Sequence, residues 1–196
     1  MNKANFDALM QSQLKKERLK VLMHACCGPC STAVIERVKN DCDLTMFWYN
    51  PNVQPDQEHD LRKENFIRVC EHFSVEYLDG GYNEAEFIEI AKGFELEREG
   101  GARCDKCFYL RLLKTALVAK QNGFDCFCTT LTISPHKNAT LINEIGLKIE
   151  REIGIKWLYS DFKKQGGFLR STMLSKELGL YRQDYCGCSY GRQRED

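Results

Sequence analysis

Neither sign of charge is in excess: 28 Lys and Arg face 28 Asp and Glu, so the formal net charge is zero. A chain-wide basic field of the kind that holds nucleic acid is excluded, and any polyanion contact has to come from a local patch. No apolar run approaches the length of a transmembrane helix. The N-terminal Met1-Asn2-Lys3-Ala4-Asn5 is polar and has no secretory pattern. Neither Gly-x-Gly-x-x-Gly nor a P-loop follows the first apolar strand, so dinucleotide or nucleoside-triphosphate binding has no sequence support there. No repeat, low-complexity segment or linker divides the 196 residues, which are long enough for one domain with a real core. The expectation is a cytoplasmic protein without membrane contact.

What the chain does have is cysteine, eleven in all. In a chain without a secretory signal, that number points to metal or redox use and not to an extracellular disulfide scaffold. The stretch His24-Ala25-Cys26-Cys27-Gly28-Pro29-Cys30-Ser31 follows the apolar run Val21-Leu22-Met23. It predicts a buried strand, a sharp turn bearing three thiols, and a helix from about Ser31 to Val38 capped by Ser31 and Thr32. Ligands sit at the carboxyl ends of parallel strands, and a helix N-terminus favours anions, so the thiols there are expected to have lowered pKa values. Cys104-Asp105-Lys106-Cys107 opens a second helix after Gly100-Gly101. Two thiol-bearing turns, far apart in sequence and each at a helix start, are the pattern that completes four ligands on one metal or cluster. A structural zinc clip is the competing reading of the same residues.

Cys186-Gly187-Cys188 is a tighter pair, suited to ligation or to a reducible disulfide. Cys126 and Cys128 alternate along a strand and read as small buried hydrophobes; Cys42 and Cys70 read as core or surface residues. His24 is open to two roles, a packed residue or a proton donor and hydrogen-bond partner to sulfur. His59 and His72 read as helix-surface residues, whereas His136, in the loop Ser134-Pro135-His136-Lys137 at a strand end, is a candidate to face a substrate. Asn50-Pro51-Asn52-Val53-Gln54-Pro55 is a rigid loop whose amides are free for recognition.

Strands near 21–24, 44–49, 75–78, 124–131 and 156–159 alternate with helices, which predicts an α/β fold with a doubly wound, mostly parallel five-stranded sheet. A packing helix within residues 1–20 precedes it, and residues 180–196 form a tail carrying the Cys-Gly-Cys pair. The whole of 1–196 reads as a single catalytic domain.

Together these segments resemble the QueH-type epoxyqueuosine reductases of bacterial tRNA queuosine synthesis. The resemblance rests on the first thiol stretch, Tyr49-Asn50-Pro51-Asn52, and Glu99-Gly100-Gly101-Ala102-Arg103-Cys104-Asp105-Lys106-Cys107. It extends through Arg111-Leu112, Thr129-Thr130-Leu131-Thr132-Ile133-Ser134-Pro135-His136-Lys137, Asp161-Phe162-Lys163-Lys164 and Tyr185-Cys186-Gly187-Cys188. It runs from about residue 20 to 190. One departure is Lys163 where the family pattern has Arg, a change that keeps charge but not bidentate geometry.

The resemblance implies a fold related to adenine-nucleotide α-hydrolase and PP-loop proteins, with the thiol turn in place of the nucleotide loop. It implies a [4Fe–4S] cluster on Cys26, Cys27, Cys104 and Cys107, with Cys30 either replacing a neighbour or binding one additional iron. Cys186 and Cys188 would be a redox-active pair or ligands of that second iron. Asn50, His136, Asp161 and Lys163 would contact substrate.

The implied reaction converts an epoxide to an alkene with two electrons and two protons, releasing water. Closed-shell side chains other than thiol pairs cannot supply the electrons, so a metal cofactor fits, and the metal would also polarise the epoxide oxygen. Protons would come from His24, Asp161 or Tyr185. The expected partners are tRNA carrying epoxyqueuosine in its anticodon loop and an unidentified electron donor. Lys163, Lys164, Arg170, Arg182, Arg192 and Arg194 are the candidate phosphate contacts. An ATP-dependent tRNA-modifying enzyme of PP-loop type and a zinc-stabilised binding module are the alternatives.

Overall fold

The structure is a computed structural model that describes residues 4–192. Its five strands are β1 (Lys20–Ala25), β2 (Asp43–Trp48), β3 (Glu76–Asp79), β4 (Cys126–Thr129) and β5 (Lys156–Trp157). They form one sheet in the order β3-β2-β1-β4-β5, every pair parallel. The doubly wound α/β expectation holds. The central strands are continuous apolar runs because both sheet faces are covered.

Strand alternation sorts the core into two layers. Val21, Met23 and Ala25 of β1 pack on one side with Met46, Trp48, Cys126 and Cys128. That side is covered by α1 (Phe6–Leu14), α2 (Gly28–Val38), α3 (Asp56–Phe73) and α7 (Gly167–Glu177). Leu22, Phe47, Phe127 and Trp157 face the other side, beneath α5 (Ala102–Gln121) and α6 (Ala139–Ile153). A short α4 (Glu84–Ala91) lies against α5, and α8 (Ser189–Arg192) ends the described chain. Cys42, Cys70, Cys126 and Cys128 are all buried in the first layer, as small hydrophobes. Among the described residues no helix is long and apolar enough to cross a membrane.

Three element boundaries differ from expectation, each for a local reason. Helix α2 starts at Gly28, three residues before Ser31, because Pro29 is already in a helical first turn and the Cys27 sulfur serves as the cap. Cys27 Sγ accepts the Cys30 N–H at 3.3 Å, while the Ser31 hydroxyl donates to the Cys27 carbonyl at 2.8 Å. Strand β4 stops at Thr129, whose hydroxyl caps a 3-10 turn over Thr130–Ile133. The fifth strand is only Lys156–Trp157.

From β1 the chain winds to β2 and β3 on one side and later to β4 and β5 on the other. The segments leaving β1 and β4 therefore diverge and open a crevice at their carboxyl ends. The thiol turn sits there. It is kept close to α3 by Gly28, where a Cβ would lie 2.6 Å from the Asn65 carbonyl oxygen and 2.8 Å from its carbon. Backbone cannot yield as a flexible side chain does, so Gly28→Ala is expected to cost about 1–3 kcal/mol. The check is urea unfolding, with the midpoint falling and the slope unchanged.

Candidate metal centre

The crevice is a cavity of about 400 Å³ lined by Cys26, Cys30 and Cys186 among others. The sulfurs of Cys26, Cys27 and Cys30 all lie within 4.8 Å of one another. The Cys26 N–H donates to Thr130 Oγ1 at 3.1 Å, and that hydroxyl lies 3.4 Å from Cys26 Sγ as its donor. The segments leaving β1 and β4 are thus locked together at the first cysteine. The Cys27 and Cys30 thiols donate to Cys26, and Lys137 lies nearby, so Cys26 titrates well below an ordinary thiol. Burial pushes Cys27 up to about 12, and donation to Cys26 and Cys27 raises Cys30. The expectation of three lowered pKa values is corrected: without a metal, one thiol of the turn is lowered and two are raised, because neighbouring sulfurs compete for protons.

The second thiol turn comes from α5. The Gly100 N–H donates to Cys104 Sγ at 3.2 Å. Cys107 is buried, and burial drives its pKa up to about 12. One helical turn on, Arg111 ties the two turns to each other. Its Nε donates to the Cys107 carbonyl at 3.4 Å and its Nη1 to Asn50 Oδ1 at 3.2 Å, while Nη2 is buried with no partner. Burial opposes its charge, but Cys107, Cys186, Cys26 and Cys104 outweigh that and raise its pKa. Lys137 behaves alike: burial opposes its charge and Cys186, Cys26 and Cys30 prevail. An all-sulfur donor set at two helix starts, beside a buried guanidinium nitrogen that lacks an acceptor, fits an anionic, thiolate-ligated iron–sulfur cluster.

The tail is held over the cavity by Arg62, which is only 2% exposed. Its Nη1 donates to the Cys186 carbonyl at 3.0 Å, its Nη2 to the Tyr185 carbonyl at 3.2 Å and its Nε to Glu58 at 2.6 Å. The Gln54 N–H donates to the Gly187 carbonyl at 2.9 Å. Gly187 takes φ +102°, and a Cβ there would lie 2.7 Å from Arg62 Nη1. All eleven cysteines are free thiols. Cys186 lines the cavity, whereas Cys188, 8% exposed, packs with Phe87, Ala91 and Cys107.

The other expected site residues divide sharply. His136 lines the cavity and is exposed. His24 is fully buried between Thr129 Oγ1 at 2.9 Å and the Tyr49 carbonyl at 3.1 Å, and burial lowers its pKa to about 3. It is packed away from the cavity lining, which matches the first of the two roles left open for it. Asn50 is also buried, giving Nδ2 to the Ala25 carbonyl at 2.8 Å and Oδ1 to Arg111. It braces the site from behind; Asn52, two residues on, lines the cavity instead.

Asp161 and Lys163 form an ion pair at 3.1 Å outside the cavity lining, and Lys163 Nζ donates to the Lys137 carbonyl at 3.3 Å. The pair supports the Lys137 loop. Among the phosphate candidates, Arg170 is engaged by Glu36 and Glu177, while Arg182 lines the cavity. Arg194 and the Arg192 side chain lie outside the described residues. His59, expected on a helix surface, is buried and accepts the Trp48 indole N–H at 3.0 Å.

Arg62 and Arg111 are site residues to which sequence reasoning gave no role, although Arg111 belongs to one of the matched motifs. Arg62 looks like half of an ordinary i, i+4 pair with Glu58. Arg111 had a signal, since it falls four residues after Cys107 and seven after Cys104 and so shares their helix face.

With this geometry in view, comparison with known proteins is specific. The family model described as Epoxyqueuosine reductase QueH matches residues 21–194. A protein of that name from Streptococcus pyogenes serotype M1 is 39% identical over 98% of this chain and 80% of its own length. One from Staphylococcus epidermidis is 36% identical over 98% of this chain and 87% of its own. One from Thermotoga maritima is 39% identical over 87% of this chain and 88% of its own. Among solved structures, the U34-tRNA thiolase NcsA from Methanococcus maripaludis, with its [4Fe-4S] cluster, superposes with a TM-score of 0.54 at 15% identity. That match covers 94% of this chain and 68% of the thiolase, and shows a shared fold.

The tail clamp carries a test in the metal-free protein. Arg62→Lys keeps the charge beside Glu58 but loses the fork that grips two carbonyls. Iodoacetamide labelling of Cys186, followed by mass spectrometry, should quicken on the order of tenfold, the value of about one charge-assisted hydrogen bond. Unchanged labelling would mean that the other ties, the Gln54–Gly187 bond and the Tyr185 hydroxyl on the Gln54 carbonyl among them, hold the tail without the Arg62 fork.

Proposed function

The chain belongs to the epoxyqueuosine reductase QueH family, and from that membership and the sulfur-lined cavity we propose how its residues divide the work. It is an oxidoreductase that reduces epoxyqueuosine to queuosine. The proposed substrate is tRNA carrying epoxyqueuosine in the anticodon loop, and the proposed setting is the cytoplasm. The observation that carries the proposal is the convergence of both thiol turns on the buried Arg111 guanidinium.

The proposed cofactor is a [4Fe–4S] cluster held by Cys26, Cys27, Cys104 and Cys107. Cys30 shares the cavity lining with Cys26 and is the residue able to take the place of Cys27, whose sulfur also caps α2. For one additional iron the proposed ligands are otherwise Cys30 and Cys186, which share the cavity lining. When bound, this metal centre supplies electron transfer and a Lewis acid for the epoxide oxygen. An external electron donor replenishes it.

The chain's own residues do the rest. Arg111 and Lys137 offset the negative charge of the thiolates and hold the centre ionised in a buried place. Of the three proposed proton donors, Tyr185 alone lines the cavity, and its hydroxyl, which donates to the Gln54 carbonyl at 3.2 Å, is the group proposed to hold the proton. The Cys186 and Cys188 thiols are a second source of reducing equivalents. Closing them to a disulfide releases two electrons and two protons, which balances one epoxide converted to one alkene and one water.

Anaerobic purification with iron and sulfide analysis should give about four of each per chain, and an absorption band that bleaches on reduction. Iron beyond four supports the additional site. Cys26→Ser, Cys104→Ser and Cys107→Ser should each lose sulfide-bearing iron. Cys186→Ser/Cys188→Ser should keep the cluster and slow turnover on epoxyqueuosine-tRNA; full turnover would remove the dithiol step. Stoichiometric zinc without sulfide would overturn the cofactor proposal.

A further inference from the structure

The outward face of α7 is apolar beside the cavity. Leu169 is 65% exposed, Met173 48% and Phe168 38%, whereas Ser171, Leu174 and Ser175 turn inward. Leu169 and Met173 are i, i+4 neighbours on the helix surface. Phe168 lines the cavity, so the patch is continuous with the site. Arg182 lines it too, with its guanidinium 5.8 Å from the centre of the Phe168 ring. Its neighbour Arg170 is spent on Glu36 and Glu177, but Arg182 has no carboxylate partner among the described residues.

We infer that Phe168 is a stacking platform for an unpaired base flanking the nucleotide whose own base enters the cavity. Arg182 takes the adjoining phosphate, and Leu169 with Met173 continues the apolar surface under the next base. The inference rests on the reading of the substrate as anticodon-loop RNA. A base that enters a cavity must leave its stack, which strips its neighbour of a partner. An aromatic ring at the rim restores that contact whatever the neighbour's identity, and a guanidinium beside the ring suits the phosphate that links the two. The small patch and its adjoining cation favour a stacked strand over the wider apolar surface of a protein partner.

The test uses Phe168→Ala, Phe168→Leu and Phe168→Trp, all at an exposed position. Two readouts are needed: binding of an unmodified synthetic anticodon stem–loop by fluorescence anisotropy, and steady-state kinetics on epoxyqueuosine-tRNA. Phe168→Ala and Phe168→Leu should weaken stem–loop binding on the order of ten- to a hundredfold, the span of base–aromatic stacking, and Phe168→Trp should restore it. In turnover the loss should fall on KM, with kcat held within about twofold. Stem–loop binding by Phe168→Leu equal to the unaltered protein, or no stem–loop binding by the unaltered protein, overturns the platform. So does a defect confined to reduction by a protein electron donor. If the unaltered protein binds the stem–loop in a Phe168-dependent way but does not reduce epoxyqueuosine, the assigned reaction fails and the platform stands.

Discussion

A buried guanidinium surrounded by sulfur is the constraint on which the site depends. Arg111 would be costly to bury alone, since an unpaired charge in a dry interior is penalised by several kcal/mol. It is tolerable because Cys26, Cys104, Cys107 and Cys186 stand around it. The dependence runs both ways. Burial drives Cys27 and Cys107 each up to about 12, and beside Cys107 the Arg111 guanidinium works against that rise. Each half of the arrangement is unfavourable without the other, so the fold has to deliver both to one place.

It does so through backbone atoms. Asn50, at the end of β2, reaches the Ala25 carbonyl at the end of β1 with one amide atom and Arg111 of α5 with the other. Thr130, just past β4, holds Cys26 through both its N–H and its sulfur. Three strand ends and one helix are thereby coupled at the topological switch point. His24 contributes from beneath, as a neutral ring bridging Thr129 and Tyr49. These buried polar groups are hydrogen-bonded to one another and to backbone, and such networks fix geometry because any displacement leaves a polar atom unsatisfied.

The parallel sheet, the order of its elements and the two thiol turns were legible in the sequence because they depend on local pattern: apolar runs, turn residues and cysteine spacing. The Cys104–Cys107 turn needed no tertiary information. What was not legible depends on which face of an element meets which neighbour. Arg62 and a solvent-facing member of an i, i+4 pair look identical in sequence, and only the tail folding back onto α3 makes Arg62 a clamp. Asn50 and Asn52 are equally polar and flank the same proline, yet one is consumed by the backbone and the other faces the cavity. Asp161 and Lys163 carry charges that invite a substrate role, and the sequence does not show that they also pair with each other. His59 reads as a surface residue in the sequence because the Trp48 indole that buries it comes from another element.

The absence of net charge now has a structural meaning. The cations nearest the cavity are largely committed: Arg111 and Lys137 to sulfur, Arg62 to carbonyls and Glu58, Lys163 to Asp161, Arg170 to Glu36 and Glu177. Little is left to attract a phosphate backbone from a distance, so long-range steering of the proposed RNA substrate would contribute weakly. A protein with this charge distribution has to gain its hold on a polynucleotide at short range, by enclosing one base and contacting its immediate neighbours. That suits an enzyme whose substrate differs from the bulk of cellular RNA at a single nucleotide, because binding energy placed on the common backbone would be shared equally with every competitor.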